Sequence, residues 1–313
     1  MERRRLGRTG IEVGEIGFGA WAISGRGYGP TDDRTSMRAL HRALDLGVDF
    51  IDTADAYGDG HSEELVGRVL RERRDRRVVV ATKVGWDFYG GRGLVSNLRR
   101  DYIRFAVRQS LRRLGRDVID IYQVHDSDPA AMDDNGVFDT MEELKREGLV
   151  RFWGVSAARW EDGLYALEHA EPDVLQVAYN IFDQEPSRRL LPLAAERGVA
   201  VIAREPLACG LLTGKYGPSS TFGPRDHRGA WSSAVLAEAQ RRLKMLDFLR
   251  TPQRTLVQAA IRFALAHPAV GVVIPGAKTP QQVEENVGAA RVRLEADEVA
   301  KLKELYELGF AER

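Results

Sequence analysis

Eight short apolar runs punctuate the chain: EIGFGAW at 15–21, FIDTAD at 50–55, VVVATKV at 78–84, IDIYQVH at 119–125, FWGVSA at 152–157, VLQVAYN at 174–180, AVIAREPL at 200–207 and GVVIPGA at 271–277. Between most neighbours lie segments whose apolar positions recur at helical spacing, such as TSMRALHRALDLG, SEELVGRVLRER, YIRFAVRQSLRRLG and TMEELKREG, several ending in a glycine suited to a left-handed cap. Near-continuous apolar strands alternating with helices predict a parallel sheet covered by helices. Eight such units predict a closed α/β (β/α)8 TIM barrel, in one domain spanning 1–313. The alternative, an open Rossmann-type sheet, lacks its fingerprint, because GFGAW has no third glycine where G-x-G-x-x-G requires one.

Residues 1–14 read as an N-terminal β-hairpin whose turn contains Gly7 and Gly10, placed to plug the N-terminal end of the barrel. Two segments fall outside the eightfold pattern. Residues 208–233, rich in Gly, Ser and Pro, are too long for a plain connector and form a candidate functional loop. After the eighth run, TPQQVEENVGAA and ADEVAKLKELYELG predict C-terminal extra helices.

Composition narrows the classes. Of 313 residues, 43% are hydrophobic, and 46 basic side chains balance 46 acidic ones, so no net field attracts nucleic acid or an anionic membrane. The Arg-rich stretches at 3–5, 71–77 and 108–116 are interleaved with acids or apolar positions and read as solvated faces. A single cysteine, Cys209, excludes an intramolecular disulfide and gives no metal-site spacing, so no metal is expected. The N-terminus lacks the apolar core of a signal peptide, and no run approaches the roughly 18 apolar residues of a membrane span. A cytoplasmic location with no membrane partner is the expectation.

Four polar residues stand at strand ends: Asp52, Lys83 and His125 at the ends of the second, third and fourth runs, and Tyr57 five residues past Asp52. Alternation puts Phe50 with Asp52, Ala81 with Lys83, and Ile121 and Gln123 with His125 on shared faces. If those faces point inward, a carboxylate, a phenol, an amine and an imidazole converge at the C-terminal end of the barrel, where such folds place their chemistry. A phenol is a poor acid near neutrality, and a neighbouring Lys83 ammonium is expected to lower its pKa. Asp52 would hold that lysine charged, and His125 would bond a substrate oxygen or relay a proton to Tyr57. Read singly, each has a bland role as cap, surface partner or structural histidine; the joint placement is what carries the reading.

The chain strongly resembles the aldo-keto reductase superfamily in DTADAYGDGHSEELVG at 52–67, TK at 82–83, QVH at 123–125, GVSA at 154–157, QVAYN at 176–180, PLACGLLTGKY at 206–216 and IPGAKTPQQVEEN at 274–286. The resemblance implies a (β/α)8 barrel that binds NADP(H), with NAD(H) as the alternative, and interconverts carbonyl compounds and alcohols. It implies Asp52, Tyr57, Lys83 and His125 as the catalytic tetrad, with Tyr57 as general acid in reduction and general base in oxidation. Gly19, Ala20 and Trp21 resemble the loop beside the nicotinamide ribose, together with Asp52, and Ser156 and Gln176 the groups that bond the carboxamide. Ala157 replaces an asparagine common in the family. Arg204 stands where a stacking aromatic is frequent, with Glu205 beside it, and Arg can stack through its planar guanidinium.

Pro206, Leu207, Gly210, Leu211, Thr213, Gly214 and Lys215 correspond to the pyrophosphate loop, and Gly276, Ala277, Lys278, Thr279, Gln282, Glu285 and Asn286 to the adenosine-phosphate segment. Gln282 replaces an arginine found in some members. Trp21, Tyr57, Trp86 and His125, with Asp87, Phe88, Asp126 and parts of the 208–233 loop, are the expected substrate contacts. The expected partner is a small-molecule carbonyl or alcohol. The resemblance also reaches the β subunits of potassium channels, so a cofactor-binding regulatory subunit is the alternative function. A barrel hydrolase would need a second strand-end carboxylate, and the chain has Lys and His there instead.

Overall fold

A computed structural model describes residues 1–74, 77–91, 93–126 and 128–311. Asp75 and Arg76 of the Arg-rich stretch at 71–77, and Arg92 of the loop after Lys83, lie outside the described residues. Among the described residues, eight parallel strands form one sheet: β1 (Phe18–Gly19), β2 (Phe50–Asp52), β3 (Val79–Val84), β4 (Ile119–His125), β5 (Val150–Ser156), β6 (Val174–Ala178), β7 (Ala200–Arg204) and β8 (Val270–Val273). Each strand pairs with its neighbours in chain order, and the first meets the last. Gly17 N–H donates to Val273 O at 2.8 Å, Val273 N–H to Glu15 O at 3.0 Å and Gly19 N–H to Pro275 O at 3.2 Å, which closes the barrel.

One main helix follows each strand: α1 (Asp33–Asp45), α2 (His61–Arg73), α3 (Arg100–Leu114), α4 (Val137–Arg146), preceded by a short helix at Pro129–Asp134, α5 (Trp160–His169), α6 (Leu190–Glu196), α7 (Leu256–Leu265) and α8 (Pro280–Gly288). Their boundaries follow from local chemistry. The Asp32 carboxylate caps α1 by accepting from Thr35 N–H, Thr255 and Gln258 form a capping box on α7, and α3 stops at Gly115 in the left-handed conformation. The buried face of α1, Ser36, Ala39, Leu40 and Ala43, has the i, i+3, i+4, i+7 spacing of an amphipathic helix.

The first C-terminal segment is α8, which packs against α1 and completes the helix ring. The second, Ala296–Glu307, is additional. Another additional helix, Ser233–Lys244, ends the long connection between β7 and α7, which holds short 3-10 turns at Ala208–Thr213 and His227–Ala230.

Two apolar layers hold this together. One lies between sheet and helices, and the other fills the barrel interior with Phe50, Val79, Ala81, Ile121, Val174, Ala200, Ile202 and Val272. The N-terminal hairpin, Arg3–Arg5 paired with Glu12–Gly14, drives Leu6, Ile11 and Val13 into that interior from below. Going up the barrel the interior changes from aliphatic to polar: above Ala81 and Ile121 come Lys83, Gln123 and His125. That polarity gradient places the site.

Candidate active site

Strand alternation turns Asp52, Lys83, Gln123, Gln176 and Ser156 into the barrel, all at most 2% exposed. Asp52 is the hub of this layer. Its Oδ1 takes Lys83 Nζ at 2.5 Å, and its Oδ2 takes Gln176 Nε2 at 2.7 Å and Gln123 Nε2 at 3.3 Å. Lys83 also donates to Thr53 O at 2.8 Å and to the Tyr57 hydroxyl at 3.2 Å. A buried ion pair holds only where the remaining lone pairs and protons are also bonded, and here they are.

Tyr57 reaches this layer from the loop between β2 and α2. A side chain at Gly58 would put its Cβ 2.4 Å from Ser24 O, so only glycine allows the loop to press against the segment after β1. The Tyr57 ring stacks on Trp21 at 5.9 Å and meets His125 edge-on at 5.6 Å.

The electrostatics depart from expectation in one respect. Burial dominates the Tyr57 phenol and pushes its pKa up to about 12; the Lys83 ammonium pulls it down, as expected in sign, but is outweighed. The expected lowering is therefore corrected: with Asp52 and Asp126 adding negative charge nearby, the phenol stays protonated. Burial works against the Lys83 charge, yet Asp52 and Tyr57 reverse it and keep the ammonium above its usual range. Burial, with Lys83 and Arg204, holds His125 well below the usual histidine value, so the imidazole is neutral.

Over this layer opens a cavity of about 780 Å³, at the upper end of the size range of small-molecule sites. Its lining includes Tyr57, Trp86, His125 and Asp126 at one end, Gly19, Trp21, Asp52, Ser156, Gln176 and Arg204 in the middle, and Pro206, Leu207, Gly210, Thr213, Lys215, Gly276, Lys278, Gln282, Glu285 and Asn286 along the rest. Four expected cofactor contacts do not line it. Ala20 is buried behind the wall, where its carbonyl accepts from Ser62 Oγ; Leu211 and Gly214 close the 3-10 turn; Thr279 caps α8 by accepting from Gln282 N–H. Lys83 lies beneath Tyr57, fully buried, and donates to its hydroxyl. Asp87 is also off the wall, accepting from Tyr89 N–H and Asn97 Nδ2, while Phe88 stacks on Tyr89.

Sequence reasoning missed Tyr28, Tyr216 and Arg228, which form one wall. Arg228 grips Asp226 with Nε at 2.8 Å and Nη2 at 2.6 Å, donates to Tyr216 OH at 2.7 Å and sits over the Tyr28, Tyr216 and Phe222 rings. His227 N–H donates to Gly27 O at 2.7 Å, tying the loop after β1 to the 208–233 loop across 200 residues. Gln123 was missed as a site residue although alternation puts it on the same face of β4 as the predicted His125.

The aldo/keto reductase family profile matches residues 15–307. This chain belongs to the aldo/keto reductase family. It is 35% identical to the aldo-keto reductase YhdN of Bacillus subtilis, over 91% of this chain and 87% of that one. It is 32% identical to the NADH-specific methylglyoxal reductase of Escherichia coli, over 98% and 99%. The solved aldo-keto reductase AKR11C1 of Bacillus halodurans, in its holo form, superposes with a TM-score of 0.82 at 33% identity, covering 97% of this chain and 96% of that one. As an aldo/keto reductase, the protein is an oxidoreductase of carbonyl and alcohol groups from a family that uses nicotinamide cofactors.

The residues present fit such a cofactor. A Cβ at Gly19 would lie 2.6 Å from Ile274 O, so only glycine lets the first and last strand ends meet there, and Gly19, Gly210 and Gly276 present bare backbone to the cavity. Arg204 Nε is buried without a hydrogen-bond partner among the described residues, while its Nη2 donates to Ala157 O at 3.0 Å and its Nη1 pairs with Glu205. Lys215 and Lys278 add positive charge at the far end, where α8 begins. Among the described residues no helix is long and apolar enough to cross a membrane.

Proposed function

We propose that the protein reduces aldehydes or ketones to alcohols with NADP(H), and runs the reverse reaction, with Tyr57 as general acid and general base. The observation that carries this reading is the Tyr57 hydroxyl, 3.2 Å from a lysine whose charge is held by a 2.5 Å pair with Asp52, at the floor of the cavity beside His125. When bound, the nicotinamide supplies a hydride to the carbonyl carbon. Tyr57 gives its proton to the carbonyl oxygen, and the Lys83 ammonium stabilises the phenolate that forms. The neutral His125 imidazole donates an N–H to the same oxygen and fixes its position. Ser156 and Gln176, on the cavity wall, bond the carboxamide in this reading, and the planar Arg204 guanidinium stacks on the ring.

Lys278 and Lys215 support NADP(H) over NAD(H), because a 2′-phosphate adds negative charge where both stand. The Escherichia coli relative is NADH-specific by name, and the neutral amide of Gln282 supplies no charge, its Oε1 accepting from Lys278 N–H at 2.7 Å. Both cofactors therefore belong in the assay.

Tyr57→Phe removes the proton donor and keeps the ring. With propanal and either reduced cofactor, the variant should lose about 100-fold to 10,000-fold in kcat while cofactor affinity, read by fluorescence, changes little. Unchanged kcat would sink the assignment. A purely regulatory, cofactor-binding role would show no aldehyde-dependent cofactor oxidation in either form.

A further inference from the structure

The substrate end of the cavity is mostly apolar, walled by Trp21, Ala56, Trp86 and Leu94 around Tyr57 and His125. A carboxylate interrupts it. Asp126 follows His125 at the end of β4, with φ at 47°, a left-handed conformation uncommon outside glycine. Its N–H donates to Ser156 O at 2.9 Å, so the turn is anchored to the neighbouring strand end. Its side chain remains 37% exposed and brings Oδ2 within 3.5 Å of His125 Nε2. Glu205, another carboxylate of the cavity wall, is paired with Arg204. Asp126 forms no ion pair with a lysine or arginine among the described residues.

A carbonyl oxygen that reaches both Tyr57 and His125 lies beside this carboxylate, and the carbon next to the carbonyl carries the substituent that meets it. An apolar substituent offers Asp126 no hydrogen bond, a hydroxyl donates to it, and a carboxylate faces a like charge at short range. We propose that Asp126 determines specificity by accepting a hydroxyl on the carbon adjacent to the carbonyl and repelling a carboxylate there, so that hydroxyaldehydes and hydroxyketones are favoured over 2-oxo acids. This inference rests on the reading of the cavity as a carbonyl-reducing site. Burial raises the Asp126 carboxyl above the usual carboxylate range, with Arg204 and Lys83 pulling it back, and an assay at a mildly alkaline pH favours its ionised form.

The experiment compares kcat/KM for glycolaldehyde, propanal and glyoxylate at saturating NADPH in the wild type, Asp126→Asn and Asp126→Ala. Asparagine tolerates the left-handed backbone and still accepts a hydrogen bond, but carries no charge. Glycolaldehyde should exceed propanal, and propanal glyoxylate, in the wild type. Asp126→Asn should raise glyoxylate relative to propanal by about tenfold or more while glycolaldehyde keeps part of its advantage, and Asp126→Ala should remove both preferences. Hydration of each aldehyde in water cancels when these ratios are compared between variants.

Quenching of the cavity tryptophans offers a readout independent of turnover: glycolate should bind the cofactor complex more tightly in Asp126→Asn than in the wild type. A glycolaldehyde-to-glyoxylate ratio equal in wild type and Asp126→Asn overturns the inference and leaves the carbonyl-reducing reading standing. Should neither variant fold, a wild type that turns over glyoxylate as well as glycolaldehyde overturns it equally. A wild type that reduces none of the three aldehydes with NADPH or NADH overturns the underlying reading, and the inference falls with it.

Discussion

Tyr57 sits between two opposed influences, burial and the Lys83 ammonium, and burial prevails, leaving a phenol near pKa 12. That outcome suits a proton donor, because the acid form is fully populated over the working range and the conjugate base is needed only as the alkoxide develops. The two directions should then differ in pH dependence. Reduction requires the protonated phenol, so kcat/KM should show no falling limb from Tyr57 between about pH 6 and 10; neutral His125, held well below its usual value, adds no limb at the acid end. Oxidation requires the phenolate, whose fraction rises about tenfold per pH unit below the pKa, so alcohol oxidation should climb throughout. Initial rates in both directions over this range test it, and a reduction rate that falls with a midpoint near neutrality would show that Lys83 dominates after all. Sequence supplies the sign of the lysine's effect but not the depth of burial, so the net direction was not legible from it.

At the scale of elements, the strands told most of the story. Period-two alternation and the polarity of a barrel place Asp52, Lys83 and His125 inside at one end, whatever the details of packing. The wall made by Tyr28, Tyr216 and Arg228 was hidden because it depends on two loops meeting across 200 residues, and no local periodicity records such a meeting. A second hidden feature lies between the sheet and helices α2 and α3. There Thr82 donates to Glu63 at 2.5 Å and Arg113 to Glu63 at 2.6 Å, while neighbouring Asp55 is fully buried with neither oxygen hydrogen-bonded among the described residues. Burial first, and the Glu63 charge second, raise the Asp55 carboxyl well above its usual range. The folded protein thus holds a proton that the unfolded chain releases at an ordinary carboxylate pH. Its contribution is complete below the unfolded pKa and is lost as pH rises through the folded one. Asp55→Asn, neutral at every pH, should therefore unfold at a higher temperature than the wild type at about pH 8, with the gap narrowing toward about pH 4. Thermal melts at the two pH values decide it; a variant less stable at the alkaline value would mean that Asp55 is ionised and satisfied.

Across the whole molecule the barrel divides its tasks between its ends: the cavity opens at the C-terminal ends of the strands, and the hairpin closes the other. Leu6 is completely buried there, so close to β8 that a Cβ at Gly271 would lie 2.8 Å from its Cδ2. The layers of Val272, Ile202 and Phe50 separate it from Asp52 and Lys83. Leu6→Ala should cost about 2–5 kcal/mol of stability through lost burial and the cavity left behind, a loss visible as a drop of several degrees in melting temperature. Because effects at distant, unshared contacts are close to additive, kcat/KM measured well below the new melting temperature should stay within about twofold of the wild type. A loss of activity in step with the loss of stability would show that the interior transmits strain from hairpin to tetrad, and that the two ends are mechanically one unit.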